Sequence, residues 1–247
     1  DFCLSRGLGD VYKRQINDRG KIPILLGGTG LYIRSILDPY DFPDTEESKD
    51  IRKKLNELAR VEGKSSLHSL LAKVDAESAR RIHPNDITRV VRALEVYRLT
   101  GKKFSDYQHS VSIEPTLEDS LFRLFYFGLT APREFLYERI NKRVDIMLEK
   151  GLIQEVKNLL GEGYSPSLGA LRTIGYRHVV QYLRGLLTLE ETSRLLKRDT
   201  RHFAKRQLTW FRRDKRITWF DVADTPLEEI VPQMLERICS TQEDSVK

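Results

Sequence analysis

The run KIPILLGGTGLY, Lys21 to Tyr32, constrains the fold more than any other stretch of this chain. Ile22 to Leu26 is a continuous apolar segment rather than an alternating one, and a strand of that kind is covered on both faces, as in a parallel sheet. A helix end before it, a turn at Gly20, the glycines behind it and a helix from Leu31 make residues 16–40 a β–loop–α unit. The partner strands must lie elsewhere in the fold.

The rest of the chain supplies them sparingly. DPYDFPDTEE (38–47) is a Pro- and Asp-rich linker, and residues 48–101 carry helical spacing throughout: Ile51, Leu55, Leu58 and Ala59, then Leu67, Leu70 and Leu71 after a cap at Ser65. Asn85 caps NDITRVVRALEVYRLTG, and Gly101 ends it. After a polar stretch from Lys102 to Asp119, LFRLFYFGL (121–129) reads as a second buried strand, so the helical block is an insertion between sheet strands. Beyond Pro132, well placed at a first helical turn, come helices in PREFLYERINKRVDIMLEKG, LIQEVKNLLGEG and TIGYRHVVQYLRG. Thr188 and Glu191 form a capping box for a long basic helix, ITWFDV (217–222) is a short strand, and PLEEIVPQMLERI is a last helix interrupted by Pro232.

The fold class is therefore α/β, and 247 residues with 40% hydrophobic content suffice for one large domain, or a core with a smaller insertion. The net charge of +6 is modest, but its placement is uneven: Lys197 to Arg216 holds nine Lys and Arg against Asp199 and Asp214. That one stretch exceeds the surplus of the whole chain and suits a polyanionic partner. Two cysteines, Cys3 and Cys239, give neither a disulfide framework nor metal-ligand spacing, which fits a cytoplasmic protein. No apolar run reaches membrane-spanning length, and no signal-peptide core is visible.

Several constellations point to anion binding. In GGTG, backbone N–H groups of Gly27, Gly28 and Gly30 can approach an anion, the next helix N-terminus favours negative charge, and Thr29 adds a hydroxyl. The plainer alternative is a tight turn that needs positive φ. On the helix after Pro132 the inward series Leu136, Ile140, Arg143, Met147 places a guanidinium among apolar positions, which requires either a bound anion or an edge arginine laying its stem along the core. Arg89 and Arg92 share a helical face with Thr88 one turn away, as a phosphate grip or simply a solvated face, and Arg52 lies on a similar basic side with Lys53 and Lys54. HFAKRQLTWFRRDKR interleaves Phe203, Trp210 and Phe211 with six cations, a mixture that neutralises phosphates while the aromatics stack on bases or pack in the core. The five histidines are scattered, so neither a metal cage nor a Ser–His–Asp triad is visible.

Taken in order, GKIPILLGGTGLY, ARRIHPNDITRVVRALEVYRLTGK, ERINKRVDIMLEKGLIQEV, RTIGYRHVVQYLRG and TRHFAKRQLTWFRR resemble the tRNA dimethylallyltransferases, isopentenyl transferases of the P-loop class. The resemblance implies a P-loop NTPase-like parallel sheet flanked by helices, with an all-helical tRNA-binding insertion. It implies transfer of the dimethylallyl group from dimethylallyl diphosphate to N6 of adenosine 37 beside the anticodon, with release of diphosphate and help from Mg²⁺. Thr29 and Arg143 match the family's catalytic diphosphate contacts, together with Gly27, Gly28 and Gly30. The tRNA anticodon stem-loop falls to Arg52; to Thr88, Arg89 and Arg92; to Arg172, Thr173, Gly175, Tyr176 and Arg177; and to Lys205, Arg206, Gln207, Thr209, Trp210 and Arg212. One RNA per monomer is implied.

The family's G-x-x-x-x-G-K-[ST] loop and its D-S-x-Q general-base motif do not occur in these 247 residues. GGTG then reads as the second half of a phosphate site whose first half lies upstream, and residues 1–15 as an unmatched leader, foreign or divergent. The domain expectation is a partial catalytic core at 16–42 and 119–223, the insertion at 43–118, and a C-terminal helix and tail at 224–247. The chain alone is expected to bind tRNA weakly without prenylating it. The rival classes are an adenylate isopentenyltransferase acting on free nucleotides, and a non-catalytic RNA-binding relic.

Overall fold

The computed structural model describes residues 11–37, 46–106 and 123–243, in two compact units, 1–123 and 124–247. The first of these spans both the glycine loop and the helical block. The expected linker (38–47) falls almost wholly outside the described residues, as does most of the polar stretch from Lys102 to Asp119.

In the first unit a helical segment at 11–17 precedes α1 (Gly30–Leu37), α2 (Glu46–Val61), α3 (Lys64–Val74), α4 (Ala76–Arg81) and α5 (Ile87–Thr100). The apolar stripes behave as their spacing requires. Leu55 and Ala59 of α2, Leu67 and Leu71 of α3, and Val90, Val91 and Leu94 of α5 close into one core with Ile82. Each fully buried leucine contributes about 1.5–3 kcal/mol through surface removed from water. Gly101 ends α5 in the left-handed conformation, φ 70°, at little steric cost.

Two caps differ from expectation. α3 starts behind Gly63, leaving Ser65 inside the helix, and Asp86 rather than Asn85 caps α5, its carboxylate accepting the Arg89 N–H. A carboxylate offers a charge to the helix N-terminus where an amide offers only a dipole. Asp75, buried between α3 and α4, accepts the backbone N–H of Ser78 at 3.0 Å and of Ser105 at 2.9 Å, pinning the end of the helical block.

The larger correction concerns Ile22 to Leu26. This segment is not a strand, and Ile24 is 87% and Leu26 95% exposed. A continuous apolar strand is stable only with strands paired to its edges and layers over both faces. Among the described residues no strand pairs with it.

The second unit holds the sheet: β1 (Phe127–Thr130) pairs in parallel with β2 (Thr218–Asp221), in register Phe127↔Thr218 through Thr130↔Asp221. β1 is shorter than LFRLFYFGL suggests and only half-buried, with Leu129 exposed, because one neighbouring strand covers one edge. Parallel pairing demands a long crossover, here α6 (Arg133–Glu149), α7 (Leu152–Gly161), a 3₁₀ turn (Ala170–Arg172), α8 (Tyr176–Leu183) and α9 (Leu189–Phe211). Val144, Leu152, Val156, Val179, Val180 and Leu196 from four of these helices form its core. The Thr188–Glu191 capping box starts α9 as the sequence indicates. α10 (Leu227–Glu243) runs through Pro232 without interruption. The proline sits in the second turn, where it removes one backbone hydrogen bond, and fully buried Ile230 anchors the helix beside it. No helix among the described residues is long and apolar enough to cross a membrane.

Candidate functional site

The glycine loop opens α1, with the Thr29 carbonyl accepting the Ile33 N–H at 3.1 Å. Gly27, Gly28 and Gly30 all lack positive φ, so the tight-turn reading does not account for them. Thr29 and Gly27 are exposed, and Gly28 and Gly30 half-exposed. The loop is therefore accessible to solvent at a helix N-terminus, a position that favours an anion.

On the helical block the structure joins two of the expected RNA contacts through a residue outside the expected set. Glu95 of α5 is fully buried. Its Oε1 accepts from Ser48 Oγ at 2.5 Å and Arg52 Nη2 at 2.8 Å, and its Oε2 from Arg92 Nη1 at 3.1 Å. Burial pushes the Glu95 carboxyl up, and Ser48, Arg52 and Arg92 more than reverse it, leaving it below the usual carboxylate range. Arg52 stays half-exposed, Arg92 is about a third exposed, and Thr88 and Arg89 face solvent, Arg89 against Asp86 at 2.9 Å.

In the second unit Arg143 is exposed, and Val144 takes the buried position on α6. The inward series is one residue out of phase at this point, because an aliphatic side chain enters the core without the desolvation cost of a guanidinium. Arg143 lines an open groove of about 900 Å³ with Arg139, Lys142 and Lys150 around an apolar floor of Leu136, Ile140 and Met147. Tyr176 also lines it and donates to Glu155, a hydrogen bond that, with burial and the Glu155 charge, raises the phenol pKa.

The turn into α8 carries Arg172, Thr173, Gly175, Tyr176 and Arg177. Thr173 is fixed twice: its hydroxyl donates to the Ala170 carbonyl at 2.7 Å and its own carbonyl accepts the Arg177 N–H at 3.1 Å. Gly175 takes φ 101°, a conformation that strains any side chain-bearing residue. Its N–H donates to His178 Nδ1 at 3.4 Å, so the buried imidazole is protonated on Nε2, which donates to Asp199 on α9 at 3.1 Å. Burial lowers the His178 pKa, against the pull of Asp199. Arg177 and Arg198 bind the same carboxylate; burial pushes it up, but these three partners hold it down to about 2. Arg177 is thus clamped to α9.

Along α9 the exposed side chains His202, Lys205, Thr209 and Arg212 repeat at helical spacing, flanked by Arg206 and Arg213. Gln207 is half-buried, and the Thr209 hydroxyl donates to the Lys205 carbonyl at 2.9 Å. Phe203 and Trp210 are 41% and 42% exposed, which decides against a core role and leaves their rings at the surface. Arg206 lies 5.8 Å from the Phe203 ring centre.

Each unit thus holds part of the expected set: the glycine loop, Arg52 and Thr88–Arg92 of α5 in the first, Arg143, the 172–177 turn and the 205–212 face in the second. Glu95, His178, Asp199 and Glu155 were not legible as site residues. The available signal was an acid inside VVRALEV and an imidazole inside RHVV, polar groups on apolar stripes. Among the described residues no group of three or more His, Cys, Asp and Glu side chains is placed to hold a metal. They offer no dedicated cage for Mg²⁺.

The sequence profile of the IPP transferases matches residues 9–214, and the chain belongs to that family. The match takes in part of the 1–15 stretch, which by motif alone is unlike the family. The tRNA dimethylallyltransferase of Carboxydothermus hydrogenoformans is 52% identical over 223 residues, 90% of this chain and 70% of the relative. That of Desulfitobacterium hafniense strain DCB-2 is 50% identical over 235 residues, 95% and 73% of the two chains. Among solved structures, the tRNA isopentenylpyrophosphate transferase of Bacillus halodurans aligns with a TM-score of 0.66 at 36% identity, covering 99% of this chain and 74% of that one. A eukaryotic dimethylallyltransferase acting on tRNA aligns at 0.65 and 27% identity, covering 94% and 59%.

Proposed function

We propose that this protein is a tRNA dimethylallyltransferase, which moves the dimethylallyl group from its diphosphate onto N6 of adenosine 37 and releases diphosphate. The amine nitrogen forms a bond to the allylic carbon while the carbon–oxygen bond to diphosphate breaks, and the N6 proton is lost. Charge accumulates on the leaving diphosphate, so catalysis needs donors aimed at it. Thr29, the amides of Gly27, Gly28 and Gly30, and Arg143 are the groups assigned to it; Mg²⁺ adds charge neutralisation when bound. Arg52, Thr88, Arg89, Arg92, Arg172–Arg177 and Lys205–Arg212 are assigned to the anticodon arm of one tRNA per monomer, in the cytoplasm.

The observation that carries this reading is the exposed face of α9, where a run of cations is interleaved with solvent-facing Phe203 and Trp210. A site for free nucleotides has no use for such a face, since neutralising many phosphates and stacking splayed bases are tasks set by RNA. The names of the relatives support the same reading over an adenylate isopentenyltransferase. The test incubates purified protein with dimethylallyl diphosphate and either an anticodon stem-loop or AMP, following product mass and, separately, RNA binding. Binding of the stem-loop with preference over AMP is expected. Prenylation of AMP alone, without stem-loop binding, would overturn the assignment.

A further inference from the structure

Glu95 presents an unusual balance. It is a fully buried carboxylate at the junction of α2 and α5, yet its partners are two arginines whose side chains remain 51% and 32% exposed. Ser48 and Arg52 lie one turn apart on α2, and Arg92 and Glu95 one turn apart on α5. One carboxylate thus ties two guanidinium groups from separate helices into a single rigid pair. A surface arginine otherwise spreads over many rotamers, and binding an anion must then offset the entropy of ordering it. Each guanidinium carries five N–H groups, and the contacts to Glu95 run through Nη2 of Arg52 and Nη1 of Arg92. With the carboxylate counted, the cluster keeps a net charge of +1, and both arginine side chains stay partly exposed.

We propose that Glu95 is a positioning residue for RNA binding: from inside the helical block it fixes Arg52 and Arg92 in the geometry that meets the phosphate backbone. This rests on the assignment of those two arginines to tRNA. The sign of one substitution separates positioning from bulk charge. Glu95→Gln makes the face one charge more positive, so a grip governed by charge alone tightens, whereas a grip governed by geometry loosens.

The experiment measures binding of a fluorescent anticodon stem-loop by anisotropy over a range of salt, with the full chain and its helix content checked by circular dichroism. Glu95→Gln is expected to bind about three- to tenfold more weakly and with a shallower salt slope. On an Arg52→Ala/Arg92→Ala background it should add nothing. A folded Glu95→Gln protein that binds as well as the parent, or better, overturns the proposal. If the double arginine variant keeps full affinity and slope, the RNA assignment of this face fails, a distinct result. Should Glu95→Gln not fold, Ser48→Ala removes the neutral donor and leaves every charge in place. Weaker binding then supports the proposal, and unchanged binding by folded Ser48→Ala refutes it.

Discussion

Replacing Asp199 with asparagine removes the charge that links Arg177, His178 and Arg198 at the junction of α8 and α9. The structure sets the size of the effect. Against an ordinary value of 3.8, a carboxyl held at about 2 in the fold carries at most about 2.5 kcal/mol, since one pKa unit is worth about 1.4 kcal/mol. Arg177 and Arg198 are 46% and 49% exposed, so water screens much of their share, and about 1–2 kcal/mol is the expected loss. The sign follows from linkage. A depressed carboxyl pKa stabilises fully above its unfolded value and loses that stabilisation as pH falls from near 4 toward 2. The amide of the Asp199→Asn variant does not titrate, so the gap between parent and variant should narrow below about pH 4, where Asp199 takes up a proton; between about pH 6.5 and 4 it widens slightly, because Asp199 holds the His178 pKa up and its loss lets that pKa fall further. Both tryptophans, Trp210 and Trp219, lie in this unit, so urea unfolding followed by intrinsic fluorescence reports on it directly. A variant as stable as the parent at neutral pH, or a gap that fails to narrow below about pH 4, would refute the reasoning.

Three further outcomes are expected. Charge reversal at Arg206 should weaken stem-loop binding and flatten its dependence on salt, by about one phosphate's worth of slope, in an anisotropy titration. Gly128→Ala places a Cβ 2.7 Å from the Trp219 ring and 2.8 Å from Ile217, so the β1–β2 pair must shift. A cost of about 1–3 kcal/mol in urea unfolding is expected, with a change in Trp emission. Finally, His178 should titrate below 6.5 when its ring is followed by NMR, because burial disfavours its charged form. Its folded pKa is the lower one, so its contribution to stability is complete above 6.5 and declines as pH falls below that value.

The sequence by itself determined the helices, their apolar stripes and the short strand within ITWFDV. Leu55, Leu71 and Leu94 are buried where their periodicity places them, the Thr188–Glu191 box starts α9, and TWFD forms β2. These are local matters: a helix needs its own hydrogen bonds, a cap and one apolar face. The family, too, was legible, because motif order survives without coordinates. What only the tertiary structure decided depends on neighbours distant in sequence. Ile22 to Leu26 is apolar enough for a central strand, but a strand forms only where another lends it hydrogen bonds, and among the described residues none does. Arg143 faces solvent because Val144 fills the core beside it. Glu95 and Asp199 look like any surface acid in the sequence. Each is defined by partners up to 47 residues away, since the energy of a buried charge is set by which groups surround it rather than by where it falls in the chain.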